Sequence, residues 1–159
     1  MPEKLHPNIE KVAAVLDEHG VSGEIVVFAE AAPTAVAAAA QIGCEVGAIA
    51  NSLVFEADGD PLLVLTSGAH RVDTALIAEQ VGASKIKRAG PDFVRAATGQ
   101  VIGGVAPVGH PAPLRTLVDT WLDRHPVVWA AAGHPHTVFP TSFAELVRIT
   151  GGVPTDVER

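Results

Sequence analysis

Aromatic side chains are scarce in this 159-residue chain: five Phe, two Trp and no Tyr. Any core must therefore rest on Val, Leu, Ile and Ala. Cysteine occurs once, at Cys44, which excludes an internal disulfide. Lying after Gly43 at the end of an alanine-rich segment, Cys44 reads as a small buried apolar residue rather than a nucleophile. Positive charge is also short. Eleven Lys and Arg face eighteen Asp and Glu, for a net charge of −7, which argues against broad contact with a nucleic-acid backbone. A grip on a short single-stranded end is still compatible with it. Lys85, Lys87 and Arg88 form the one compact basic cluster and read as a solvated face. No apolar run is long enough to span a membrane and no signal peptide is recognisable, so the expectation is a soluble, cytoplasmic protein. The GxSxG elbow, the Walker loop, the dinucleotide glycine fingerprint and HExxH are all missing.

What remains is a globular composition, 48% hydrophobic and 18% charged, in a length that suits one domain over residues 1–159. Ile9, Val12, Ala13 and Leu16 share a helical face within 8–19, with Gly20 as a stop. Residues 24–28 are β-rich. Pro33 and Thr34 open an alanine-rich helix that ends near Gly43. Residues 48–57 and 61–67 predict a hairpin about Asp58-Gly59-Asp60. Asp73 caps a helix closed by Gly82, a short strand spans 84–88, and Gly90-Pro91 begins a helix ending at Gly99. Strands are expected around 101–105, 114–118 and 127–131. Ser142-Phe143-Ala144-Glu145 fits a capping box for a last helix, with a frayed tail from Gly151. This irregular mixture predicts an α+β fold: a mixed, largely antiparallel sheet or barrel-like core flanked by helices.

The chemistry concentrates in Val101–Pro111, where three glycines, two prolines and a histidine fall in eleven residues. Glycine admits a ligand to van der Waals contact with the backbone, and proline stiffens its neighbours. The segment reads either as a rigid cradle offering amide N–H groups or as a tight connection between strands. On the strand 48–57, Asn51 shares a face with Ile49, Leu53 and Phe55. A buried amide left unpaired costs about 1–3 kcal/mol, so Asn51 either bonds backbone groups or points into a polar pocket. His110, His134 and His136 invite a metal reading, but no Cys or carboxylate stands at zinc-like spacing beside them. Loop histidines that bond backbone or line a cleft are the simpler account. Without a side-chain nucleophile, hydrolysis would need a positioned water and polarised amides.

Several blocks carry a resemblance. They are Asn51-Ser52-Leu53-Val54-Phe55, Leu63-Val64-Leu65-Thr66-Ser67-Gly68 leading into His70-Arg71-Val72-Asp73, Gly103 to His110, and Ala131 to Phe139. In this order and spacing the chain resembles the YbaK family, that of the prolyl-tRNA synthetase editing domain and its freestanding relatives, from about Glu24 to Gly151. The resemblance implies a mixed, barrel-like α+β fold and hydrolysis of mischarged aminoacyl-tRNA. It implies that Gly103, Gly104, Val105, Pro107, Gly109 and His110 hold the terminal adenosine and ester, and that Gly133, His134 and His136 form another wall. Thr34 and Asp73 stand where relatives approach the pocket. Asn51, Gly103 and Gly104 become the candidate catalytic residues.

The implied partner is the acceptor 3′ end of a tRNA carrying a mismatched amino acid, with a synthetase as an optional second partner and neither membrane nor DNA. No cofactor or metal is implied. Well-studied relatives carry lysine at the position of Asn51. Asn supplies a neutral donor and acceptor instead of a fixed charge. A module that binds an aminoacyl-tRNA end or a small nucleotide without hydrolysis is therefore the alternative, and a metal-dependent hydrolase using the histidines is a third.

Overall fold

The computed structural model describes residues 7–21, 23–28, 30 and 34–158. Pro33 lies outside them. The first helix, α1 (Pro7–Glu18), buries Ile9, Val12 and Leu16, one turn apart along one face. A short strand, β1 (Val26–Val27), leads to α2 (Ala35–Ile42), which Thr34 caps by accepting a hydrogen bond from the Ala37 amide at 3.1 Å. The hairpin β2 (Ile49–Ala57) and β3 (Asp60–Ser67) turns at Asp58 and Gly59, with φ of 51° and 90°. Positive φ at both positions is the geometry that matches the strand twist. The Asp58 carboxylate also accepts from the Ser84 and Lys85 amides, both at 2.9 Å, and so ties the turn to the following strand.

Helix α3 (Thr74–Val81) is capped by Asp73 and closed by Gly82. The strand β4 (Ile86–Arg88) and helix α4 (Pro91–Thr98) follow. Then come β5 (Arg115–Asp119), β6 (Val128–Ala131), β7 (Thr137–Thr141), α5 (Phe143–Thr150) and β8 (Val153–Thr155). Ser142 caps α5 through the Glu145 amide, while the Glu145 carboxylate accepts from Thr141 Oγ1 at 2.7 Å.

The strands form one mixed sheet in the order β1-β7-β6-β2-β3-β5-β8, with β4 also paired to β2. Its longest ladder is the antiparallel hairpin, in which Asn51 faces Thr66 and Phe55 faces Leu62. The pairings β2–β6, β3–β5 and β5–β8 are parallel. One face (Val54, Leu63, Leu65, Val118 and Phe139 among them) packs on Val12 and Leu16 of α1, Val94 of α4, and Leu146 and Ile149 of α5. Phe55, Leu62, Val64 and Leu117 pack on Ile77 of α3, and Ile49 and Val138 on Ala38 and Ala39 of α2. Aliphatic side chains make up most of this core, each contributing about 1.5–3 kcal/mol on burial, while Phe55 and Phe139 are its largest fully buried members.

Two expectations are corrected. No strand forms at 101–105. Gly103 takes φ 88° and the Gly104 amide closes a turn onto the Val101 carbonyl at 3.0 Å, so the backbone leaves extended geometry. The tail is not frayed: β8 pairs with β5 and Val157 is fully buried. The strand β7, with Pro140 inside it, was not anticipated.

Candidate functional site

The sheet has a notch. On one edge β2 pairs with β6 through Ile49 and Ala50 and with β4 through Phe55 to Ala57. Between them, residues 51–53 have β3 alone as a strand partner among the described residues. The glycine-rich loop comes to this gap, and a cleft of about 600 Å³ opens there. That volume suits a small-molecule-sized ligand. Asn51 to Phe55 of β2, Thr66 and Gly68 line it, with Thr34 and Ala35 at the start of α2 and Ile102, Gly103 and Val105 of the loop. A second space of about 30 Å³, room for one small group, shares Thr34, Asn51, Ser52, Gly103 and Val105 with the cleft and reaches Trp129 and Ala131.

Polar groups without protein partners converge on this notch. Among the described residues no hydrogen bond is made by the half-buried Asn51 amide. The Ser52 Oγ is buried and has no hydrogen-bond partner among the described residues. The Gly104 amide is occupied by Val101 and the Ala106 amide by Gln100 Oε1 at 2.8 Å, whereas the intervening Val105 amide and that of Gly103 have no acceptor among the described residues. Buried donors of this kind are rare in folded chains and call for a ligand or water. Exposed Arg71 and Arg88 line the same cleft, and neither guanidinium pairs with a carboxylate among the described residues, although the Arg71 backbone amide donates to the Glu158 carboxylate at 2.6 Å. The overall charge is negative, yet this rim is not.

The other proposed site residues are spread more widely. Thr34 lines the cleft while serving as a cap. Asp73 caps α3 through the Leu76 amide at 3.1 Å, with its neighbours Val72 and Thr74, rather than itself, in the lining. Gly104 supports the cleft from behind: a Cβ there would come within 2.7 Å of the His134 carbonyl carbon and Pro135 nitrogen. Pro107, Gly109 and His110 line a different groove, with Val15, His19 and Ile149. Burial pushes the His110 imidazole below its ordinary value of 6.5, against the opposing effect of its 2.8 Å hydrogen bond to the Ala106 carbonyl. Gly133 lies against the Asn8 backbone and Val12 of α1. His134 and His136 stack at 5.1 Å between ring centroids, and the His136 amide donates to His134 Nδ1 at 3.2 Å. Neither lines the cleft.

Among the described residues no three His, Cys, Asp or Glu side chains gather to hold a metal ion, and no helix is long and apolar enough to cross a membrane. Cys44 packs beside α2 away from the cleft, and burial raises its thiol above the ordinary value, which keeps it protonated. The sequence reading assigns no role to Ser52, Arg71 or Arg88, although Ser52 and Arg71 lie inside the quoted blocks. The basic cluster that holds Arg88 reads as a solvated face, and the place of Arg88 at the rim depends on the β2–β4 register, which no local signal reveals.

The family model for the aminoacyl-tRNA editing domain matches residues 29–149. The chain belongs to that family. Curated proteins similar to this editing domain include the uncharacterized protein YwhH of Bacillus subtilis (strain 168), 29% identical over 77% of this chain and 78% of that one. The proline–tRNA ligase of Nitratidesulfovibrio vulgaris (strain DP4) is 30% identical over 52% of this chain but only 14% of the ligase. A solved structure described as a candidate trans-editing enzyme for prolyl-tRNA synthetase superposes with a TM-score of 0.91 at 37% identity, over 98% of this chain and 99% of that one. The hypothetical protein APE2540 superposes at 0.86 with 27% identity, over 92% and 98% of the two chains. The mixed α+β architecture is therefore that of solved members of this group.

Proposed function

We propose that this editing domain is a freestanding deacylase that hydrolyses the ester of mischarged tRNA, acting on the acceptor 3′ end in the notch between β2 and the 101–105 loop. The observation that carries this reading is the convergence on one cleft of Asn51, Gly103 and Val105 donors that have no acceptor among the described residues, with Arg71 and Arg88 at its rim. Guanidinium groups at a rim suit the phosphates of a single-stranded end. Amide donors at the floor suit the oxyanion that develops when water attacks an ester, and one such donor is typically worth about 2.7–4 kcal/mol.

The ribose hydroxyl next to the ester orients the attacking water. The logic of editing explains why a second site is worthwhile: a missing methylene changes synthetase binding by only about 1–3 kcal/mol. Contact limited to the acceptor end also suits a chain of net charge −7. The alternative of a non-hydrolytic binding module draws on one feature: the β2 floor carries neutral Asn51 where a lysine would place a charge.

A panel of mischarged tRNAs, incubated with the protein with and without EDTA, separates the readings. Ester hydrolysis that survives chelation supports the deacylase. Protection of the ester against spontaneous hydrolysis supports the binding module. Activity lost with EDTA supports a metal-dependent hydrolase and overturns both.

A further inference from the structure

His70 stands at the edge of the cleft with a buried carboxylate behind it. Asp119, the last residue of β5, has a side chain only 1% exposed, and its oxygens accept from the Ser67 amide at 2.9 Å, the Trp121 amide at 2.9 Å and Thr66 Oγ1 at 3.4 Å. The fourth partner is His70 Nδ1 at 2.8 Å. A carboxylate oxygen accepts, so the pair places the hydrogen on Nδ1 and leaves Nε2 as the nitrogen that faces away from Asp119. No second hydrogen bond to the ring exists among the described residues. The Trp121 ring, 4.6 Å away between centroids, limits its rotation. His70 lines this cleft and also a neighbouring groove of about 390 Å³ that it shares with Asp119 and Trp121. Thr66, which donates to Asp119, is the cross-strand partner of Asn51, and directly opposed residues have Cβ atoms about 4.5–5.5 Å apart.

A histidine with one nitrogen held by a buried carboxylate and the other unoccupied, in a cleft that holds a candidate oxyanion site, is built for proton transfer. We infer that His70 is the general base and acid of this cleft, with Asp119 as its positioning residue. This rests on the deacylase reading above and adds to it the group that moves the proton. Nε2 takes a proton from water as the water oxygen bonds the acyl carbon. As the ester C–O bond breaks, the imidazolium returns that proton to the departing ribose oxygen. The products are the free amino acid and uncharged tRNA, and no other reactant is needed.

The experiment measures kcat and KM for the mischarged tRNA that the wild-type protein hydrolyses best, using His70→Ala and His70→Gln, each checked for an unchanged melting temperature. Gln keeps an amide donor for Asp119 and protects the fold, but has no base. Both variants are expected to lose about 10²–10⁴-fold in kcat with little change in KM. Added imidazole is expected to restore part of the His70→Ala rate and leave wild type unaffected. A folded variant that keeps wild-type kcat, or a loss in His70→Ala that imidazole does not restore, overturns the assignment and leaves the deacylase reading standing. A wild-type protein that hydrolyses no mischarged tRNA overturns both.

Discussion

Residues 101–105 and 106–111 belong to one glycine-rich loop, yet they face opposite tasks. The first half comes to the notch beside β2, where Gly103 and Val105 line the cleft and their amides have no acceptor among the described residues. The second half turns into the core. The Ala106 amide is held by Gln100, Ala106 and Val108 are buried, and His110 bonds back to the Ala106 carbonyl. Gly109 packs so closely on Val12 that an added Cβ would lie 3.1 Å from its side chain. Gly133, the start of the other Gly-His-Pro triplet, packs on α1 in the same way. The lesson is that a glycine-rich run signals close approach without saying what approaches. In one half we assign that role to a ligand; in the other it is a helix of the same chain.

Changes on the two sides should separate function from stability. The largest effect is expected from Gly104→Val. Its side chain would meet the His134–Pro135 backbone, so overpacking should cost about 1–3 kcal/mol and displace Gly103, lowering turnover in the fraction that still folds. Denaturant unfolding and single-turnover deacylation check this; a folded variant with unchanged turnover would remove the first half of the loop from the site. Asn51→Lys should alter amino-acid preference with little loss of fold, on the order of tenfold between two substrates for about 1.4 kcal/mol of discrimination. An identical profile across the tRNA panel would mean that this side chain does not reach the amino acid.

Arg71→Ala and Arg88→Ala should each weaken tRNA binding across all substrates and reduce the salt slope of affinity by about one, measured by titration at several salt concentrations. An unchanged slope would take that arginine off the phosphate path. The smallest effect belongs to the second half of the loop. Burial holds His110 below 6.5, so the unfolded chain takes up the proton first as pH falls. Native stability should therefore be full above about 6.5 and decline as pH drops from there toward the lowered value. His110→Gln should remove that part of the decline, read from unfolding midpoints against pH, and leave turnover unchanged.

Local chemistry made much of the architecture legible. Asp58-Gly59 specified its hairpin because few residues accept two successive positive φ values. Thr34, Asp73 and Ser142 marked helix starts because short polar side chains satisfy the first amides. What was hidden depends on distant chain. In β7, Pro140 reads as a strand breaker, but β1 pairs only with Thr137 and Val138, so the missing N–H falls beyond its reach. Gly151-Gly152 and Pro154 disguise β8, whose place comes from its pairing with β5. The two halves of the loop share one composition and differ only in what packs behind them. His70 and Asp119 are 49 residues apart, and they meet because parallel β3 and β5 end at the same edge. Carboxyl ends of neighbouring parallel strands were the signal available for finding that pair.

The most direct test is an amide NMR titration of the protein with a non-hydrolysable aminoacyl-adenosine, its ester oxygen replaced by nitrogen, that carries the amino acid hydrolysed best in the tRNA panel. The account predicts saturable shifts at Asn51, Ser52, Gly103 and Val105, with Gly109, His110 and Gly133 unmoved. Shifts confined to 106–111 and 133–136, or none at millimolar analogue, would contradict it.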